Sequence, residues 1–192
     1  MKAQKLIKAL LLLAIVLSSC SKKDDDIITE IPSQYPMKSL IESGYIGLQN
    51  TMVDWEFIKE VGYRFKTFKS GSITSLGIRI PNNGEYRVTL FNADTEEVLV
   101  TKYITSTSGL LSYEEIDPIN IQSGVAYFVS VNTNNFYTFN DSGNTIFPVE
   151  IGDVLITNSG SSTGNNINQL MPSLGSNTYF IGMVDVKFKA SN

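Results

Sequence analysis

The chain has 192 residues, 19 of them acidic and 15 basic, a net charge of −4, one cysteine and no histidine. That length suits one domain, and the lack of histidine excludes Ser-His-Asp and Cys-His catalysis and the histidine-containing zinc sites. A lone cysteine excludes an internal disulfide, and the acidic balance does not favour nucleic acid, whose phosphates need a Lys/Arg surface, so nucleic acid is not an expected partner.

Residues 1–19 read as a signal peptide. Lys2, Lys5 and Lys8 form a positive start, and Leu10 to Leu17 form an apolar run too short to span a bilayer. Leu17-Ser18-Ser19-Cys20 then places an aliphatic residue and two small ones before the cysteine. This is similar to the lipobox of bacterial lipoproteins. The resemblance implies cleavage before Cys20 and a lipid anchor on its thiol. Acyl chains anchor by burying CH₂ groups at roughly 0.8 kcal/mol each, and stable anchoring takes more than one chain. Cleavage would remove three basic residues and no acid, leaving 12 basic against 19 acidic and a net charge of about −7. The run from Ser21 to Asp26, SKKDDD, resembles the export signal of surface lipoproteins in Bacteroidota. It implies an outer-membrane lipoprotein exposed at the cell surface, with a plain solvated tether as the alternative.

Residues 20–38 read as a flexible acidic tether, because Pro32, Ser33, Gln34 and Pro36 resist regular structure. From about Leu40 the pattern turns to β. Apolar residues alternate at Tyr63 and Phe65, at Leu76, Ile78 and Ile80, and at Tyr86, Val88 and Leu90. They do so again at Val125 to Val131 and at Val184, Val186 and Phe188, and this period of two marks half-buried strands. Val98 to Ile104 adds another strand, and Ile146 to Ile156 supplies one or two. Ser70-Gly71, Pro81 to Gly84, Asn92 to Asp94 and Gln122 to Gly124 are turns between them. Short helical turns fit Met37–Ser43 and Leu111–Ile116, and the polar stretch 157–178 reads as a long loop. The spacing predicts an all-β fold over residues 39–192, an antiparallel β-sandwich of immunoglobulin-like or jelly-roll-like form.

A family resemblance runs through the middle. It is carried by Gly62-Tyr63-Arg64-Phe65, Gly71 to Ile78, Val88-Thr89-Leu90-Phe91-Asn92-Ala93, Val98-Leu99-Val100 and Ile121 to Ser130. Together with Val184 to Phe188, these resemble the family called domain of unknown function 4082. The resemblance covers roughly residues 58–189 and implies a β-sandwich of secreted or surface proteins, often beside carbohydrate-active modules. It brings no catalytic or ligand residues with it.

Three constellations stand out. Glu96-Glu97 and Glu114-Glu115-Asp117 are acidic pairs of the kind a glycosidase uses, but adjacent residues of a strand face opposite ways and cannot flank one bond. Solvated turn charge is the better reading, and no enzyme is expected. Asn132, Asn134, Asn135, Asn140, Asp141 and Asp153 could supply oxygen ligands for a structural calcium. They lack the spaced acidic pattern of a dedicated site, so no cofactor is expected. Trp55, Phe57, Phe136, Tyr137 and Phe139 form an aromatic cluster beside Asn134 and Asn135. Trp55 and Phe57 also fit a core. Rings at a strand end could stack on a sugar while amides bond its hydroxyls, which makes Trp55, Asn134, Asn135, Phe136 and Tyr137 the candidate ligand residues. The expected function is a non-catalytic binding module for a glycan or other surface polymer. The alternative is an assembly lipoprotein contacting another surface protein.

Overall fold

The computed structural model describes residues 31–47, 51–162 and 169–191, with the backbone alone at 51–55 and 174. The signal peptide, Cys20 and residues 21–30 of the tether lie outside the described residues. The described chain begins with one short helix, α1 (Pro36–Glu42). The strands that follow are β1 (Thr51–Thr67), β2 (Gly71–Arg79), β3 (Gly84–Asn92), β4 (Val98–Ser106), β5 (Leu111–Ile121) and β6 (Tyr127–Phe139). They continue with β7 (Val149–Ile151), β8 (Val154–Ser161), β9 (Leu174–Ser176), β10 (Phe180–Ile181) and β11 (Met183–Ala190). The larger sheet has the order β4-β3-β6-β1-β8-β7, with β10 beside β6 and β9 beside β8, and the smaller is β11-β2-β5. Pairing is antiparallel throughout.

The two sheets pack as the expected all-β sandwich. Val61, Tyr63, Phe65, Val129 and Val131 of the larger sheet meet Leu76, Ile78, Val184, Val186 and Phe188 of the smaller in one buried cluster. Each such side chain contributes about 1.5–3 kcal/mol by leaving water. Directly paired residues share a face, so the core register Tyr63↔Val129 sends the neighbouring pair Arg64↔Phe128 to the opposite, outer face.

Both outer faces are partly covered, which alternation alone does not show. On the smaller sheet, Gln34 pairs with Phe188 through both backbone bonds, at 2.7 and 2.9 Å, and closes the β11 edge. Residues 34–38, expected in the tether, therefore dock on the sandwich. Pro36 suits the first turn of α1, since it has no N–H to satisfy. The N-cap residue of the helix, Tyr35, makes no side-chain capping bond. Asp185 of β11 supplies one instead. Its carboxylate accepts from Met37 N at 2.9 Å, Lys38 N at 3.0 Å, Val186 N at 2.9 Å and Tyr113 Oη at 2.6 Å. Alternation turns Asp185 to solvent, whereas α1 and Tyr113 bury it completely. Burial pushes its carboxyl up to about 6, against the opposing pull of the Tyr113 hydroxyl and the three backbone N–H groups.

Two expected elements differ. Leu111–Ile116 is not a helical turn but the start of β5. That strand sits at the sheet edge with Glu114, Glu115 and Asp117 exposed and Pro118 inside it, the guarded composition of an edge that hides its period. The expected loop 157–178 begins inside β8 and contains β9. Ser159, Gly160 and Ser161 pair between β1 and β9, so backbone bonding holds them in the sheet without apolar alternation, while 163–168 lie outside the described residues.

Candidate ligand site

The aromatic cluster read from the sequence does not form an exposed platform: Phe136, Tyr137 and Phe139 belong to or pack against the main core cluster. Phe136 is 1% exposed and belongs to the core, and Asn135 is 5% exposed. Neither is available to a ligand in this conformation. Tyr137 packs against the same core cluster that contains Phe136. Tyr137 is half-buried, with the Arg79 guanidinium 5.6 Å from its ring centroid. Asn134 is half-buried opposite a wide bulge, where register jumps from Asp54↔Asn135 to Lys59↔Thr133. The side chain of Trp55 lies outside the described residues. Phe57, which fitted a core, is instead 69% exposed, because the bulge releases residues 55–58 from pairing with β6. Two of the candidate calcium ligands are engaged elsewhere: Asp153 pairs with Lys69 at 3.2 Å, and Asn140 Nδ2 donates to Thr178 O at 2.7 Å. Among the described residues no group of three or more acidic side chains could hold a metal.

A different site lies on the outer face of the larger sheet. Arg64 of β1 is registered with Phe128 of β6 on one side and Asn158 of β8 on the other. Three neighbouring strands therefore present these side chains on one face. Glu96 reaches the same place from the β3–β4 turn, and Met171 and Pro172 from the segment before β9. Together they line a cleft of about 330 Å³. Phe91, Ala93, Ala126 and Phe128 form a second buried apolar cluster here, and Met171 packs against it as the floor. The crossing segment is pinned by Gln169, whose Nε2 donates to the hydroxyls of Thr89, at 2.7 Å, and of Thr101.

The rim is polar. Arg64 Nη2 donates to Ala93 O at 2.7 Å. Asn158 Nδ2 donates to Ser159 O at 3.2 Å, and its Oδ1 accepts from Thr157 Oγ1 at 3.0 Å. A Cβ on Gly175 would sit 2.5 Å from Asn158 Nδ2, so the bare glycine leaves room for that amide at the cleft. Deeper on the same face, Glu60 is bonded to Arg87 and accepts from Ser130 Oγ at 2.7 Å.

Glu96 holds its place at a cost. Asn92 Oδ1 accepts from Asp94 N at 3.0 Å and Thr95 N at 3.2 Å, shaping the turn. Glu96 follows at φ 61, in the left-handed region that favours glycine. Glu96→Gly is expected to stabilise the fold by about 0.5–1 kcal/mol, read by chemical denaturation, while removing the rim carboxylate. Destabilisation by this change would show that the turn needs the glutamate side chain.

Sequence reasoning singled out neither Arg64 nor Asn158, and it treated Glu96 as turn charge. The signal within reach was alternation, which turns Arg64 outward once Tyr63 and Phe65 face in. Its neighbours on that face follow only from strand order. The fold and cleft define a two-sheet β-sandwich with a mixed polar and apolar recess on one outer face. No family model and no curated protein matches the chain, so the resemblance to domain of unknown function 4082 rests on the strand motifs quoted above.

Proposed function

We propose that the protein is a non-catalytic binding module for a glycan or another surface polymer, lipid-anchored through Cys20 and exposed at the outer face of the outer membrane. The carrying observation is the cleft itself, where Arg64, Glu96 and Asn158 rim an apolar floor presented by Met171, which packs over the buried Phe128. A sugar offers the complementary mixture, an apolar ring face and a periphery of hydroxyls. The lining carries one carboxylate, Glu96, whereas glycosidic hydrolysis ordinarily uses two, which supports binding over cleavage. The lipobox at 17–20 and the following charge run support the location.

The full chain on a broad glycan array is expected to retain a saccharide, and Asn158→Ala to weaken retention about tenfold or more, near 1.4 kcal/mol. A blank array, or retention unaffected by Asn158→Ala, would overturn this reading. The assembly reading draws on β4. It is a nine-residue edge strand without proline, paired among the described residues only with β3, beside a groove of about 590 Å³ that contains Leu99, Ile116 and Ile119. A blank array together with a stoichiometric surface partner, released by Ile119→Lys, would favour it.

A further inference from the structure

We infer that the saccharide taken by this cleft is acidic, with its carboxylate seated on Arg64. The inference rests on the glycan reading and names its ligand class. A guanidinium carries five N–H donors in a planar fork. The bond to Ala93 O uses one of them and steadies the group. Arg64 is half-buried, and among the described residues no carboxylate lies within 4.0 Å of it. Arg87, on the same face, has Glu60. A cation drawn partly out of water without a counter-charge loses solvation that a bound anion restores. A carboxylate matches the fork with two parallel N–H···O bonds, a geometry that a neutral hydroxyl cannot reproduce.

The acids nearby leave that role open. Glu96 is exposed on the rim, outside ion-pair distance of Arg64, where its oxygens can accept from hydroxyls. Asp94 of the same turn is engaged by Ala126 N at 3.2 Å. Asn158, given room by Gly175, adds an amide beside the guanidinium, and Phe128 and Met171 lie beneath. The net negative charge of the chain acts at long range and is screened beyond about 10 Å at 0.1 M salt.

The test is an array of galacturonate, glucuronate and sialic acid oligosaccharides beside their methyl esters, probed with the full chain. Esterification removes the charge and keeps the sugar. At least one acid is expected to bind tenfold or more tighter than its ester, and the gap should narrow as salt rises from 0.05 to 0.5 M. Arg64→Gln should abolish the preference. Arg64→Lys, which keeps the charge without the fork, should reduce it. The salt series on the unmodified chain decides the matter even if a variant folds poorly. Saccharide binding with no preference for acid over ester would overturn the acidic class and leave the glycan reading standing. A blank array would overturn both.

Discussion

Replacing Asp185 with alanine is expected to destabilise the fold by about 3–5 kcal/mol, the largest effect of any single polar change here. The carboxylate accepts from the backbone of Met37, Lys38 and Val186 and from the Tyr113 hydroxyl, and it is fully buried. Alanine would leave those donors without an acceptor and would undock α1, whose Met37 and Leu40 belong to the core. Asp185→Asn keeps one acceptor oxygen and should cost less. Urea denaturation followed by circular dichroism measures both. A loss under 1 kcal/mol for the alanine variant would show that α1 docks without this cap.

The same residue should give stability a pH dependence of defined sign. Its folded carboxyl is pushed up to about 6 by burial, against an ordinary value of 3.8. Below about 4 both folded and unfolded states hold the proton, and above about 6 both have released it. Between these limits the folded state binds the proton and the unfolded state does not. The Asp185 contribution is therefore greatest at acid pH and is lost as pH rises from about 4 to about 6, by roughly 3 kcal/mol in all. The Tyr113 hydroxyl can turn from donor to acceptor to receive that proton. Other carboxylates titrate in the same range, so the quantity to measure is the difference between the unmodified chain and Asp185→Asn at pH 4, 5, 6 and 7. Parallel curves would refute the assignment.

Phe136→Ala is the second large effect, at about 3–5 kcal/mol from lost burial and the cavity left behind. Phe136 lies on β6 within the main core cluster, between strand neighbours that pair with β1. The structure assigns it packing in place of the ligand contact expected from its sequence neighbourhood. Under conditions where the variant is folded, glycan retention by the cleft around Arg64 should persist, because Phe136 does not line it. Loss of retention with stability changed by less than 1 kcal/mol would return Phe136 to the binding surface.

Alternation in the sequence was enough to place Tyr63 and Phe65, Leu76 and Ile78, and Val184 and Val186 on core faces, and hence to predict two sheets packed together. That works because side chains on a strand alternate faces and apolar area is worth burying, both of which are local properties. The lipobox reading is local in the same sense. The fate of the opposite faces could not be read this way. Asp185 looked solvent-facing, and only the docking of α1 over β11 buries it. Alternation turns Arg64 outward, and only the order β6-β1-β8 sets it between Phe128 and Asn158. Phe136 and Tyr137 looked like exposed ligand residues, yet Phe136 is buried in the core and Tyr137 packs against it, which only the packing of the sheets decides. The sequence by itself determined the class of fold and the core faces of its regularly alternating strands. Tertiary structure alone decided the cleft, because strand order and the crossing of residues 169–173 join residues far apart in the chain.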